Sequence, residues 1–209
     1  KIQMPVTIYH GPIIYKESGV RFGLGFAQSD LTMPPMYDQK FANLFTAESD
    51  KPKLRLSIFV NYLNNSRLHI GLPAFKLFTK QGGDQIEWYG MDSDFSVSSN
   101  LKNIDANITV DGASLIKNKM KAMLGKVSSD YALHQTDAGL YLGEAGLSLP
   151  SFLIVENDQK IFQLEQLDMR STSDIESGLF SSYFKSSLDK LTVRNKIYGP
   201  AILDMSIKN

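Results

Sequence analysis

The residues able to do chemistry are few and scattered. The 209 residues contain no cysteine and three histidines, His10, His69 and His134. Without cysteine there is no disulfide, no thiolate metal site, no iron–sulfur cluster and no cysteine nucleophile. No two histidines stand four apart, the spacing that puts two ligands on one helix face, so no metal site and no cofactor is expected. His69, between Leu68 and Ile70, falls on the polar side of an alternating run and reads as a solvated residue. His134-Gln135-Thr136-Asp137 places an acid near a base, but before Gly139 it reads as a polar turn. Gly146-Leu147-Ser148-Leu149-Pro150 lacks the closing glycine of a strained nucleophile turn and reads as a strand end.

One pair of carboxylates, Asp92 and Asp94, lies near Trp88 and Tyr89. Glycoside cleavage needs a proton donor and a base or nucleophile a few ångströms apart, and aromatic faces stack on sugars. A hydrolase of cell-wall glycans is therefore the weakest of three functional readings, with these two aspartates as its only candidates. The same loop offers too few oxygen ligands for a calcium site. Gly23-Leu24-Gly25-Phe26-Ala27 lacks the third glycine and the following helix of a dinucleotide fingerprint. Lys117, Lys119, Lys121 and Lys126 read as a solvated face, because 22 basic residues balance 22 acidic ones. That balance gives no electrostatic reason to expect a nucleic-acid partner. No catalytic, cofactor-binding or metal-binding residue is assigned, and the expectation is a non-enzymatic protein.

The elements that would position such residues are mostly strands. Val20, Phe22, Leu24 and Phe26 alternate with smaller or polar residues as a strand with one buried face; the two glycines on the other face either admit something lying close over it or mark a twist or bulge, the latter being favoured. Leu54, Leu56, Ile58, Val60 and Tyr62 alternate likewise, and Asn64-Asn65-Ser66 turns the chain into Leu68, Ile70 and Leu72 as a hairpin. Ile104, Ala106, Ile108 and Val110 follow the same period. Leu140 to Leu149, Phe152 to Val155, Ile161 to Leu167 and Leu191 to Ile197 add further strands. Three stretches carry a helical period: Tyr37, Phe41, Leu44 and Phe45 after Pro34-Pro35; Ile116, Met120, Met123 and Leu124; and Phe180, Phe184 and Leu188. The second also alternates as a strand does, so 111–126 is open between the two, with its Ala, Met, Lys and Leu content favouring helix. Met33, Met36, Met120 and Met123 read as core or groove filler. The expected fold is α+β: one β-rich domain over 1–209, a mainly antiparallel twisted sheet with about three helices packed on it.

No run reaches the length of a membrane-spanning helix, and there is no signal pattern. The chain opens on Lys1, and Tyr198 to Ile207 reads as a strand entry cut soon after it begins, so a longer natural chain is expected. Ile8-Tyr9-His10-Gly11-Pro12-Ile13-Ile14 echoes Ile197-Tyr198-Gly199-Pro200-Ala201-Ile202-Leu203, each placing Gly-Pro between two apolar half-strands. Such a pair removes a donor and relaxes the backbone, which marks a kink in an edge or bent strand.

The opening Val6-Thr7-Ile8-Tyr9-His10-Gly11-Pro12, the stretch Trp88-Tyr89-Gly90-Met91 and the late Tyr198-Gly199-Pro200-Ala201 resemble the YdgA-like family of bacterial proteins of unknown function. The resemblance implies an N-terminal hydrophobic anchor, outside this chain, and a β-rich region on the periplasmic side of the inner membrane of a Gram-negative bacterium. It brings no catalytic residues. Long strands with one apolar face must cover that face with helices, a second copy, another protein or a lipid. Association or scaffolding in the envelope, as a homodimer or with an envelope protein, is the first functional expectation. A lipid or hydrophobic-ligand domain is the alternative.

Overall fold

The computed structural model describes residues 5–16 and 19–208; the chain ends Lys1 and Asn209 lie outside them. In order these residues form β1 (Thr7–His10), β2 (Ile13–Lys16), β3 (Gly19–Phe22), β4 (Gly25–Thr32), a 3-10 turn (Pro35–Tyr37) and α1 (Asp38–Leu44). Then come β5 (Lys53–Val60), β6 (Ser66–Leu72), β7 (Phe75–Phe78), β8 (Gln85–Val97), β9 (Asn103–Lys117), β10 (Met120–Leu124) and β11 (Val127–Gln135). The series ends with β12 (Tyr141–Glu156), β13 (Gln159–Glu176), β14 (Leu179–Val193), β15 (Lys196–Tyr198) and β16 (Ala201–Lys208). Fourteen strands make one antiparallel sheet, in the order β1-β4-β5-β6-β8-β9-β10-β12-β13-β14-β15, while β2 and β3 pair as a separate hairpin. Three of the sheet's ribbons are interrupted strands. β7 continues β6 beside β8, β11 continues β10 between β9 and β12, and β16 continues β15 beside β14.

This is not the α+β fold expected from the periodicity. Strand accounts for 70% of the chain and helix for 5%. Of the three expected helices only the one after Pro34-Pro35 exists. It is pinned at the end of β7, where the Lys80 amide donates to the Leu44 carbonyl at 2.9 Å and the Thr46 amide to Phe78 at 2.8 Å. The region 116–124 is the β9–β10 hairpin, its turn carried by Asn118 at φ 52°. Region 179–188 is β14. The physical reason is that a spacing of four satisfies both periods. Phe180, Phe184 and Leu188 share one side of a strand as readily as of a helix, and the serines at 182 and 186 hide the alternation between them. The filler role of Met36 fails too, since it is 67% exposed.

Other strand readings hold in part. The β5–β6 hairpin turns at Asn64, at φ 62°. β12 runs straight through Pro150, joining the two strands expected on either side of it. The single strand expected from Val20 to Phe26 is instead two: Val20 and Phe22 belong to β3 and Phe26 to β4, the chain breaks at Gly23-Leu24, and of that face only Phe26 is buried. A Cβ on Gly23 would sit 2.7 Å from the Phe59 ring. Both Gly-Pro pairs interrupt strands, Gly11-Pro12 between β1 and β2 and Gly199-Pro200 between β15 and β16.

A line of irregularities crosses the sheet. Leu72 pairs Met91 and Phe75 pairs Trp88, leaving Pro73-Ala74 opposite Tyr89-Gly90. Met91 pairs Val110 and Trp88 pairs Ala113, with Gly112 at φ 117° between them. The same step falls at Gly125-Lys126, Pro150-Ser151, Glu165-Gln166 and Gly199-Pro200. Because each ribbon carries the irregularity at the same level, pairing resumes beyond it and the sheet bends along a line. In β8 the step is a bulge. The Tyr89 hydroxyl reaches the Glu87 carboxylate at 3.4 Å, and Tyr89 shares a cleft with Asp92, so all three lie on one face. Trp88 therefore stays on the same face as Met91, although three residues separate them.

Candidate functional site

Cross-strand partners share a face, so the register sorts the whole sheet. One face is apolar in successive rows. Ile58, Leu68, Phe95, Ala106, Tyr131 and Ala145 form one row. The next two positions along each strand give Ile70, Ile108, Leu147, Met169 and Leu203 with serines between them. At the bend come Leu72, Met91, Val110 and Val127 on one side and Leu149, Leu167, Leu188 and Ala201 on the other. Beyond it Phe75, Trp88, Ala113, Leu124, Phe152, Leu164, Leu191 and Tyr198 continue the surface. Phe75 and Trp88 stack with centroids 6.3 Å apart, and the indole N–H donates to the Leu72 carbonyl at 3.3 Å.

No second layer covers this face among the described residues. Its leucines are half-buried by neighbours within the same sheet; of the sheet's buried apolar residues only Ala106 and the marginal Leu77 lie on it, while Ile14 belongs to the β2–β3 hairpin and Phe26 and Leu142 to the opposite face. The accessible surface is 14000 Å². A folded chain of 23.4 kDa ordinarily exposes about 9,700 Å². The excess, about 4,000 Å² on that scale, reflects the extended single-layered shape and is shared by both faces. Among the described residues β16 is paired on one side only, with β14. All eight residues of β16 are exposed, and Ala201, Leu203, Met205 and Ile207 alternate along it on the apolar side.

The opposite face is mainly polar, and most of its charges are paired, although the buried Thr192 hydroxyl finds no partner among the described residues. Asp130 and Arg170 pair at 2.6 Å across the intervening Gly146 of β12, and Lys53 pairs Asp30 at 2.7 Å. Asp168 is held below the usual carboxylate range by hydrogen bonds from Ser148 and then Gln166. The two aspartates singled out by type, Asp92 and Asp94, project from β8 on this face and flank a histidine on the neighbouring strand. His69 Nδ1 lies 3.4 Å from Asp92 and 3.1 Å from Asp94. Donor atoms of the three residues fall within 4.8 Å of one another, so they could hold a divalent cation. Both carboxylates are largely exposed, at 65% and 73%. Trp88, expected to complete a sugar platform with them, belongs to the apolar face instead. The spacing of the two aspartates was readable, but the histidine between them was not, because it arrives through the β6–β8 register.

The remaining candidates stay apart. His134, read as part of a polar turn, lies within β11 one residue before its end, with its Nε2 3.8 Å from Asp174, and the turn itself runs from Thr136 to Gly139. Ser148 lies mid-strand, facing Asp168 rather than a histidine. Lys126 pairs Asp111 at 3.6 Å, while Lys117 and Lys121 sit on either side of the β9–β10 turn.

Fold and surface together define a class, an open antiparallel sheet with one apolar and one polar face. The chain matches, over residues 1–209, the family described as bacterial protein of unknown function (DUF945), and it belongs to that family. No curated protein and no solved structure matches it. Among the described residues no helix is long and apolar enough to cross a membrane.

Proposed function

We propose that this chain is a non-catalytic module of the Gram-negative envelope, on the periplasmic side, that associates with another polypeptide by strand addition at β16. One observation carries the reading: an eight-residue edge strand, exposed throughout, with an apolar residue at every second position. Proteins ordinarily blunt such an edge with lysines, proline, a bulge or a covering element. β16 holds one lysine, at its last position, and no proline. An added strand would take up its unpaired backbone groups and extend the apolar face without interruption. The envelope location rests on the likeness of the Gly-Pro and Trp-Tyr-Gly-Met motifs to the YdgA-like proteins.

Sedimentation at micromolar concentration tests the association. The expected result is a dimer or larger species that Leu203→Lys with Ile207→Lys converts to monomer while the circular dichroism is unchanged. A wild-type chain that stays monomeric at all concentrations and takes up no envelope protein overturns the reading. The continuous apolar rows favour a second occupant, the acyl chains of a lipid. Native mass spectrometry followed by organic extraction separates the two. A releasable adduct of lipid mass assigns the face to lipid, and a bare dimer assigns it to protein.

A further inference from the structure

The polar face is not polar everywhere. Where β4, β5 and β6 lie side by side, Phe26 pairs with Phe59 and Phe59 with Arg67, placing two aromatic rings among charged residues. The β2–β3 hairpin swings over this spot. It sets the Arg21 guanidinium 5.9 Å from the centroid of Phe26 and 5.7 Å from that of Phe59. Between hairpin and sheet lies an open cleft of about 590 Å³, also lined by Arg67, His69 and Asp94. That volume is in the range of small-molecule sites, which combine apolar walls with a few convergent polar groups.

The charges in the cleft are unequal in their partners. Asp94 is engaged by His69 at 3.1 Å. Among the described residues Arg21 and Arg67 form no ion pair. Arg21 instead lays its cation against two rings, where it is attracted to their faces and keeps N–H groups free for a ligand. Two unpaired guanidiniums over an aromatic floor match an anion carried on an apolar body. The forked N–H groups suit the oxygens of a carboxylate or phosphate, and the rings suit the carbon behind it.

We propose that the cleft under the β2–β3 hairpin binds a small amphiphilic anion, with Arg21 and Arg67 on its carboxylate or phosphate and Phe26 and Phe59 against its apolar part. This site lies on the face opposite the apolar rows, so it is independent of the association argued above.

The test is a calorimetric and NMR titration of the full chain with hexyl phosphate, inorganic phosphate and hexyl glucoside. Hexyl phosphate is expected to bind saturably, shifting the Phe26, Phe59 and His69 resonances and leaving Trp88, on the other face, unmoved. Inorganic phosphate should bind at least about tenfold more weakly, and Arg21→Gln or Arg67→Gln should each weaken hexyl phosphate about tenfold, as expected for loss of a charge-assisted contact. Neither change should alter the melting temperature appreciably, since both arginines are exposed. Equal binding of inorganic phosphate overturns the apolar half of the proposal. Equal binding of hexyl glucoside overturns the role of the arginines. Absence of saturable binding, or shifts confined to Trp88 and its neighbours, overturns the site itself.

Discussion

Adjacent residues of a single strand meet two different worlds in this protein. β9 presents Ile104, Ala106, Ile108 and Val110 to one side and Asn103, Asp105, Asn107 and Thr109 to the other. On the polar side charges find partners across the strands: Arg170 with Asp130, Lys53 with Asp30, His69 with Asp94. Such exposed pairs contribute at most about 1 kcal/mol each, and solvent already satisfies the rest. On the apolar side every leucine still half-exposed forgoes part of the roughly 1.5–3 kcal/mol that full burial brings. The polar face therefore gains little more from being covered, outside the cleft under the β2–β3 hairpin, whereas the apolar face has stabilisation in reserve for whatever covers it.

The sharpest way to break this asymmetry is at the bend that keeps both halves of the apolar face on one side. Gly112→Ala would put a Cβ 2.5 Å from the Leu124 carbonyl oxygen at a residue with φ 117°. The expected cost is about 2–3 kcal/mol, read as a lower midpoint in urea unfolding. The two faces are then compared directly by placing the same charge on each. Leu147→Lys, in the apolar rows, should lose about 2 kcal/mol. Thr172→Lys, exposed on the polar side opposite Glu144, should stay within about 0.5 kcal/mol of wild type.

Smaller effects refine the polar side. Gly146 lets Asp130 and Arg170 meet across β12, and a Cβ there would lie 2.3 Å from the Arg170 Nη1 and 2.6 Å from the Asp130 Oδ1. Both are ends of flexible side chains, so Gly146→Ala should part the pair at a cost of less than about 1 kcal/mol. Salt should reduce the difference between the two proteins. The smallest effect is Asp168. Its folded pKa is depressed by Ser148 and Gln166, so its contribution is present above the unfolded carboxylate value of about 3.9. That contribution disappears as pH falls through the lower, folded value. Ser148→Ala should therefore lower stability slightly at neutral pH, flatten the acid-side profile, and have least effect below the folded pKa of Asp168.

Strand content was legible because alternation at Leu54 to Tyr62 or Ile104 to Val110 admits no other period, and the turn at Asn64 announces itself by residue type. Helices were over-read where phenylalanines or methionines stood four apart with serines or lysines between them. The bend was only half legible. Gly-Pro and Pro150 were visible as punctuation, but nothing local says that Gly90, Gly112, Gly125 and Gln166 fall on one line. The same holds for the site residues. Asp92 and Asp94 are found by type, whereas His69 between them and Arg21 beside Arg67 require the register of strands far apart in sequence.

Nearly every ribbon of the large sheet pairs with its immediate predecessor and successor in the chain, the β2–β3 hairpin being inserted between β1 and β4. Each pairing thus closes a short loop, which keeps contact order low for an all-β protein and favours fast, stepwise addition of strands. Stability in such an architecture accumulates much as in a solenoid, as a sum of nearest-neighbour interfaces rather than around one centre. The sheet is consequently extensible: one more hairpin beside β16 would add its own interface and lengthen the same two faces, without disturbing any strand already in place.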